Sequence, residues 1–374
     1  MLIACRCANR SSFPSLTARL SLADDVLPKP VCTPQPPTDE QKAKIQEGIR
    51  LHDMGAYEEA VQKYLSVLDE NPREITALHE ASFTYFAQKK YDKALAVARR
   101  GAACQSRLLP QFHTSMGNAL DAMVRPEEAL AVYRAALEMD PPTRLLHFNL
   151  AVLLRGTGKA EEAKVEVQRE LGLNPNHPGS HLLLGKIYAE AGMRIPAVMA
   201  LSRFLLLEPS GPRAADTFGR LRPLLDAGVT RGEKSNQINI GISTPTEAQK
   251  KEGDFSAVEM GLAISAAASM MDPKERKGKK GKKEEPASEY SRMTTAYIIM
   301  GEVLGRAKPE DGFASGFYAA YFAPLQKDKQ ASAFVAVAWR DAKLEGLAEW
   351  TSANGPALDA FAEWDKGYKW PPVP

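Results

Sequence analysis

The chain has 374 residues, of which 44% are hydrophobic and 25% charged, and a formal net charge of +2. That length admits two or three domains, and that composition is of ordinary globular proteins, not disordered or collagenous ones. The small net charge argues neither for nor against a polyanionic partner, and no specific nucleic acid is expected. No apolar run reaches the roughly 18 residues of a spanning helix; the longest candidate, Met260 to Met271, is short and rich in small residues and reads as a buried helix. Four cysteines, Cys5, Cys7, Cys32 and Cys104, do not make a disulfide framework, and Cys5-x-Cys7 lacks a second ligand pair for zinc.

Residues 1–39 read as an unfolded segment. Arg6, Arg10 and Arg19 among serines, with no acid before Asp24, loosely resemble an organellar transit peptide. Leu2-Ile3-Ala4-Cys5 resembles a lipoprotein cleavage box without the basic and apolar context that should precede it, and a truncated or misassigned start would produce either appearance. A soluble, cytoplasmic chain is the default. Pro28, Pro30, Pro34, Pro36 and Pro37 then make a stiff, extended linker. Thr38-Asp39 caps a first helix, with Glu40 where the positive helix end favours it.

From there the same punctuation recurs. Pro72, Pro141, Pro175 and Pro209 each follow a helix; the last three are 34 residues apart, and 72 to 141 is two such steps plus one residue. Counting back from each proline, a small residue falls at Gly48, Ser82, Gly117, Ala151 and Gly185, and a large one three further on at Leu51, Tyr85, Leu120, Leu154 and Tyr188. In the second helix of each unit come Ala60, Ala94, Ala129, Ala163 and Ala197, then Tyr64, Ala98, Tyr133, Val167 and Leu201. Leu109 to Pro141 shows the unit most plainly, as two short amphipathic helices divided at Arg125-Pro126. Small residues at the helix crossing let the backbones approach, and large ones fill the gaps between units.

This resembles the tetratricopeptide repeat over residues 40–209, in five units at 41–74, 75–109, 110–143, 144–177 and 178–211. The resemblance implies an all-α fold, a right-handed α-solenoid of helix hairpins A and B, with 213–225 as a polar-backed capping helix. In that helix Ala214, Phe218 and Leu221 would face the last repeat, with Arg213, Asp216, Arg220 and Arg222 toward water.

Residues 226–253 read as a linker; Gln237 to Ile242 alternates like a strand, but with no visible partner it is taken as extended. Residues 254–374 read as a small separate helical domain: helical patterns at 254–272 and 288–305, a basic loop at 273–287, an aromatic cluster (Phe313, Phe317, Tyr318, Tyr321, Phe322) on a helix ended by Pro324, and a long helix over 330–350. All four tryptophans lie here, in the final 36 residues.

His79, His113, His147 and His181 fall 34 residues apart, on helix A of successive repeats. Packed helices stand roughly 8–10 Å apart, too far for one zinc with ligands at about 2.0–2.1 Å, so these are expected to pack between repeats. Catalytic motifs are absent: Gly312 to Gly316 has the wrong spacing for a nucleophile elbow, and there is no HExxH, Walker loop or GxGxxG. The acidic pairs Glu58-Glu59, Glu127-Glu128 and Glu161-Glu162 open helix B of the first, third and fourth repeats, where they favour the helix dipole. No catalytic residue, metal or cofactor is therefore expected.

The resemblance implies a concave groove lined by helix A. Its candidate peptide-binding residues here are Phe83, Phe86, Asn118, Asp121, Asn149, Arg155 and Lys186, with Thr114 and Phe148 beside them. Asn118 and Asn149 match the asparagines with which co-chaperone relatives hold a peptide carboxylate, but Thr114, Gly179 and Leu183 occupy the positions of the basic partners. The expected function is a non-catalytic scaffold that binds a protein or peptide segment in this groove. Two alternatives stand beside it. In one the repeats recruit substrate to a catalytic C-terminal domain; in the other the basic segments attach the protein to an anionic surface.

Overall fold

A computed structural model describes residue 27 and residues 29–139, 144–233, 237–242, 244–270, 287–307 and 311–373. The transit-like stretch 1–26, Asp140-Pro141 and the basic run 274–286 lie outside the described residues. The fold is of the all-α class, built from consecutive helical hairpins, and the chain divides into two compact units between Glu166 and Val167. The sequence pattern changes elsewhere, at 226–253.

In the N-terminal unit the hairpins follow the repeat register. They are α1 (Asp39–Asp53) with α2 (Tyr57–Glu70), α3 (Ile75–Ala87) with α4 (Tyr91–Ala102), and α5 (Leu109–Ala122) with α6 (Pro126–Met139). Next come α7 (Arg144–Gly156) and α8 (Ala160–Leu173), within which the unit boundary falls. The Thr38 cap is a full capping box, closed by Gln41. In the first and third repeats helix A crosses helix B at its small residue. Gly48 lies against the Tyr64 ring, and a Cβ on Gly117 would enter the Tyr133 ring. Tyr64, Tyr133 and Ala129 are essentially without solvent exposure, as that close crossing requires.

The cysteine expectation needs correction. Cys32 and Cys104 form a disulfide 72 residues apart in sequence. The N–H groups of Val31 and Cys32 donate to the Ala103 carbonyl at 2.8 and 3.1 Å, and Gln105 N–H returns to the Cys32 carbonyl at 3.0 Å. The proline-rich segment is thus no free linker but a strap bonded to the end of α4. Nothing local in the sequence signals a pairing that depends on where the strap comes to lie.

The C-terminal unit gathers the rest of α8, α9 (Pro178–Glu190), α10 (Arg194–Leu207) and α11 (Pro212–Asp226). After these come strands β1 (Val229–Arg231) and β2 (Ile238–Ile240), then α12 (Glu247–Lys250), α13 (Ser256–Met270) and α14 (Glu289–Arg306). A π-helical turn, Ala314–Ala319, runs into α15 (Ala320–Lys327), followed by α16 (Ala331–Ala338), α17 (Leu347–Ala353) and α18 (Gly355–Gly367). Every residue of α10 from Ile195 to Leu206 is buried. A helix apolar all round has to be enclosed, and here the C-terminal helices enclose it. Ser202 Oγ lies 2.7 Å from the Tyr297 hydroxyl, Arg203 donates to Tyr321 Oη at 2.9 Å, and Arg203 also pairs with Asp365.

Five further expectations are corrected here. Gln237 to Ile242 does have a partner, since Val229, Thr230 and Arg231 pair antiparallel with Ile240, Asn239 and Ile238; three residues are too few to read as a strand. The supposed linker is also packed: the buried Glu252 carboxylate accepts from the Tyr188 hydroxyl at 2.8 Å and the Ala314 N–H at 3.2 Å. Pro324 lies inside α15, where buried Tyr321, Phe322 and Leu325 hold the helix together despite it. The helix over 330–350 is two pieces: α16 ends at Ala338, and the connection to α17 holds Lys343 and Gly346 at positive φ values of 54° and 84°. In α11, Ala214, Phe218 and Leu221 are buried as expected, but Phe218 stacks on Trp339 at 5.4 Å. Arg222 pairs with Glu289 and does not simply face water.

Gly117→Ala should cost about 1–3 kcal/mol, because the added methyl overpacks the crossing; urea unfolding followed by circular dichroism measures it. Cys32→Ser should cost about 2–4 kcal/mol through the entropy of the released loop, and a reductant should lower the wild-type melting temperature but not that of the variant.

Candidate functional site

Helices α1, α3, α5 and α7 lie side by side in the N-terminal unit, each helix A touching the next. Two register positions repeat along this wall at the repeat spacing. One carries Phe83, Asn118 and Val152, and the other carries His52, Phe86, Asp121 and Arg155. Being about one helical turn apart, the two positions share a face, and that face is open: Phe83 is 52% and Val152 43% exposed.

Its composition changes along the wall. At the α1–α3 end the His52 ring packs 5.1 Å from Tyr57 and 5.0 Å from Phe83, and His52 Nδ1 lies 2.8 Å from Thr84 Oγ1. Phe86 packs 5.2 Å from Tyr91. At α5 the face turns polar. Burial raises the Tyr133 phenol far above its ordinary range, so it stays protonated and donates to Asn118 Oδ1 at 2.6 Å. With its oxygen engaged, the Asn118 amide presents its NH₂. Partial desolvation raises the Asp121 carboxyl. Asn149 and Arg155 are half-buried on α7. Thr114, at a vacant basic position of the carboxylate clamp, donates its hydroxyl to the Pro110 carbonyl at 2.9 Å. Lys186 belongs to the other compact unit, where it lies 3.8 Å from Asp216. Sequence reasoning missed His52, Tyr57 and Val152; the signal was available, since His52 and Val152 occupy the same registers as the residues it chose.

The four histidines at the repeat spacing are held within the fold. His79 meets Phe112 edge-on at 6.0 Å, His113 is 1% exposed, and His147 Nδ1 lies 2.7 Å from Glu166. His181, in the C-terminal unit, has both ring nitrogens engaged. A carbonyl can only accept, so Nε2–H donates to the Pro175 carbonyl at 2.8 Å, and Nδ1 accepts from the Tyr318 hydroxyl at 2.8 Å. That tautomer is neutral, in keeping with burial and then the Arg203 charge lowering its pKa to about 3.

The chain contains tetratricopeptide repeats: residues 114–178 match the family model described as tetratricopeptide repeat. No curated protein matches it. Among solved structures it is similar to TTC0263, a thermophilic repeat protein of Thermus thermophilus, at 20% identity over 50% of this chain and 98% of that one, with a TM-score of 0.41. It is similar also to YrrB, a repeat protein described as having an unusual peptide-binding site, at 20% identity over 48% and 94%, with a TM-score of 0.37. A third is MamA, at 16% identity over 45% and 92%, with a TM-score of 0.37.

Because the folded pKa of His181 lies below its ordinary value, the unfolded chain binds the proton more readily between pH 6.5 and about 3. The contribution of His181 is therefore full above pH 6.5 and is lost as pH falls, by up to about 1.4 kcal/mol per pH unit. His181→Gln should show a shallower loss of stability between pH 6.5 and 4.5 in urea titrations.

Proposed function

We propose that this chain is a non-catalytic protein-interaction scaffold whose helix A wall in the N-terminal unit binds an extended peptide or protein segment. The observation that carries the reading is the open two-register face, with a half-exposed phenylalanine at one end and an oriented asparagine amide in the middle. Aromatic side chains supply contact area at little entropic cost, and an amide held by its own fold can donate to a peptide carbonyl without first being ordered. The aromatic end suits an apolar side chain of the ligand, and the Asn118–Asn149 stretch suits its backbone.

Peptides selected from a displayed library on the intact chain provide the ligand for a test. Asn118→Ala/Asn149→Ala should weaken the selected peptides by about tenfold, the worth of one or two hydrogen bonds. Phe83→Ala/Phe86→Ala should weaken them at least as much, with unchanged circular dichroism in both variants. Selected peptides that bind both variants as tightly as the wild type would remove the face from the mechanism.

A further inference from the structure

Beyond Gly367, where α18 ends, the chain runs without regular secondary structure through Val373. Among the described residues no backbone hydrogen bond ties 369–373 to the body of the unit. Side chains hold the segment instead. The Trp370 ring lies parallel to Tyr321, 5.2 Å away at an interplanar angle of 4°, and stacks on Phe317 at 4.4 Å. His181 lies 6.3 Å from it, and the Arg203 guanidinium stands 5.1 Å from its centroid. Two prolines follow, and then Val373 packs on Gly172, where a Cβ would come within 2.9 Å of a valine methyl.

The side chains beneath the segment are held by contacts of the unit itself. With the segment in place, Tyr321 and His181 are fully buried and Phe317 and Arg203 are 1% exposed. Arg203 is fixed by Tyr321 at 2.9 Å, by Asn176 Oδ1 at 2.8 Å and by Asp365, so its charge is already balanced and its flat face is free to meet an aromatic ring. Trp370 itself is only half-buried, and Lys369 and Pro372 are exposed. The segment therefore lies over this cage as a ligand does. Aromatic-lined surfaces that take an extended proline segment by stacking, with few backbone hydrogen bonds, are a general mode of peptide recognition. Proline pre-sets the backbone and reduces the entropy lost on docking.

We propose that this aromatic–arginine cage is a second peptide-binding site, filled in this chain by Tyr368–Val373 as a displaceable self-ligand, and that it accepts extended segments with tryptophan followed by two prolines. It is separate from the helix A wall and does not depend on it. The short tether gives the cis segment a local concentration on the order of millimolar, so the site is closed to weak competitors until the segment is displaced.

The test uses a fluorescent peptide of residues 367–373. A chain ending at Gly367 should bind it, the Trp370→Ala peptide at least about tenfold more weakly, and the intact chain should bind it at least about tenfold more weakly than the shortened one. Full-length Trp370→Ala/Val373→Ala guards against misfolding of the shortened chain and should also bind the wild-type peptide. An unlabelled peptide with Trp-Pro-Pro between alanines should compete, which separates recognition of the motif from recognition of this segment alone. A natively folded shortened chain or double variant that does not bind the peptide overturns the proposal. Failure of both to fold also overturns it, because the segment would then be a permanent part of the core.

Discussion

The close approach of helix A to helix B at one small residue is the constraint on which the repeats depend. At Gly117 there is no room for a Cβ beside the Tyr133 ring, and at Gly48 the Tyr64 ring fills the same place. The tyrosine is buried because the glycine lets it in, and the hairpin angle is set by that contact. Where the pair is Ser82 with Ala98, the smaller partner leaves room for the serine hydroxyl to donate to the Ala94 carbonyl at 3.1 Å. At the third repeat the same contact shapes the candidate site, since Tyr133 both fills the crossing and orients Asn118.

The fifth repeat keeps this crossing, since a Cβ on Gly185 would lie 2.6 Å from a Leu201 methyl, but it serves a different end. Residues 179–185 of its helix A are buried without a break, and its helix B is buried on all sides. It is the core of the C-terminal unit, and so it offers no open helix A face comparable with that of α3 to α7. Several of the polar groups taken inside are matched in pairs. Ser202 meets Tyr297, His181 meets Tyr318 and Pro175, and Glu252 meets Tyr188. A buried polar group without a partner costs more than its hydrogen bond returns, so these pairs specify one arrangement of the surrounding helices.

The two candidate binding surfaces differ in how much the sequence disclosed. That Phe83, Phe86, Asn118, Asp121 and Arg155 share a face of helix A is readable from the repeat register alone. The aromatic–arginine cage was not legible, although one sign of it was present: the stretch RIPAVMALSRFLLL has no polar face for solvent apart from its arginines and a serine. An outer helix of an open solenoid would need one.

The sequence by itself determined the hairpins, their boundaries and the residues at each crossing, because helix periodicity and capping act within a few residues and a 34-residue repeat multiplies the signal. The Thr38 capping box and the start of α6 at Pro126 follow from such local rules. Only the tertiary structure decided that Cys32 reaches Cys104, that Glu252 enters the fifth repeat, and that Trp370 closes over Arg203. Those contacts join residues tens to more than a hundred positions apart. Their geometry is set by the packing of whole helices, and no short-range pattern carries it.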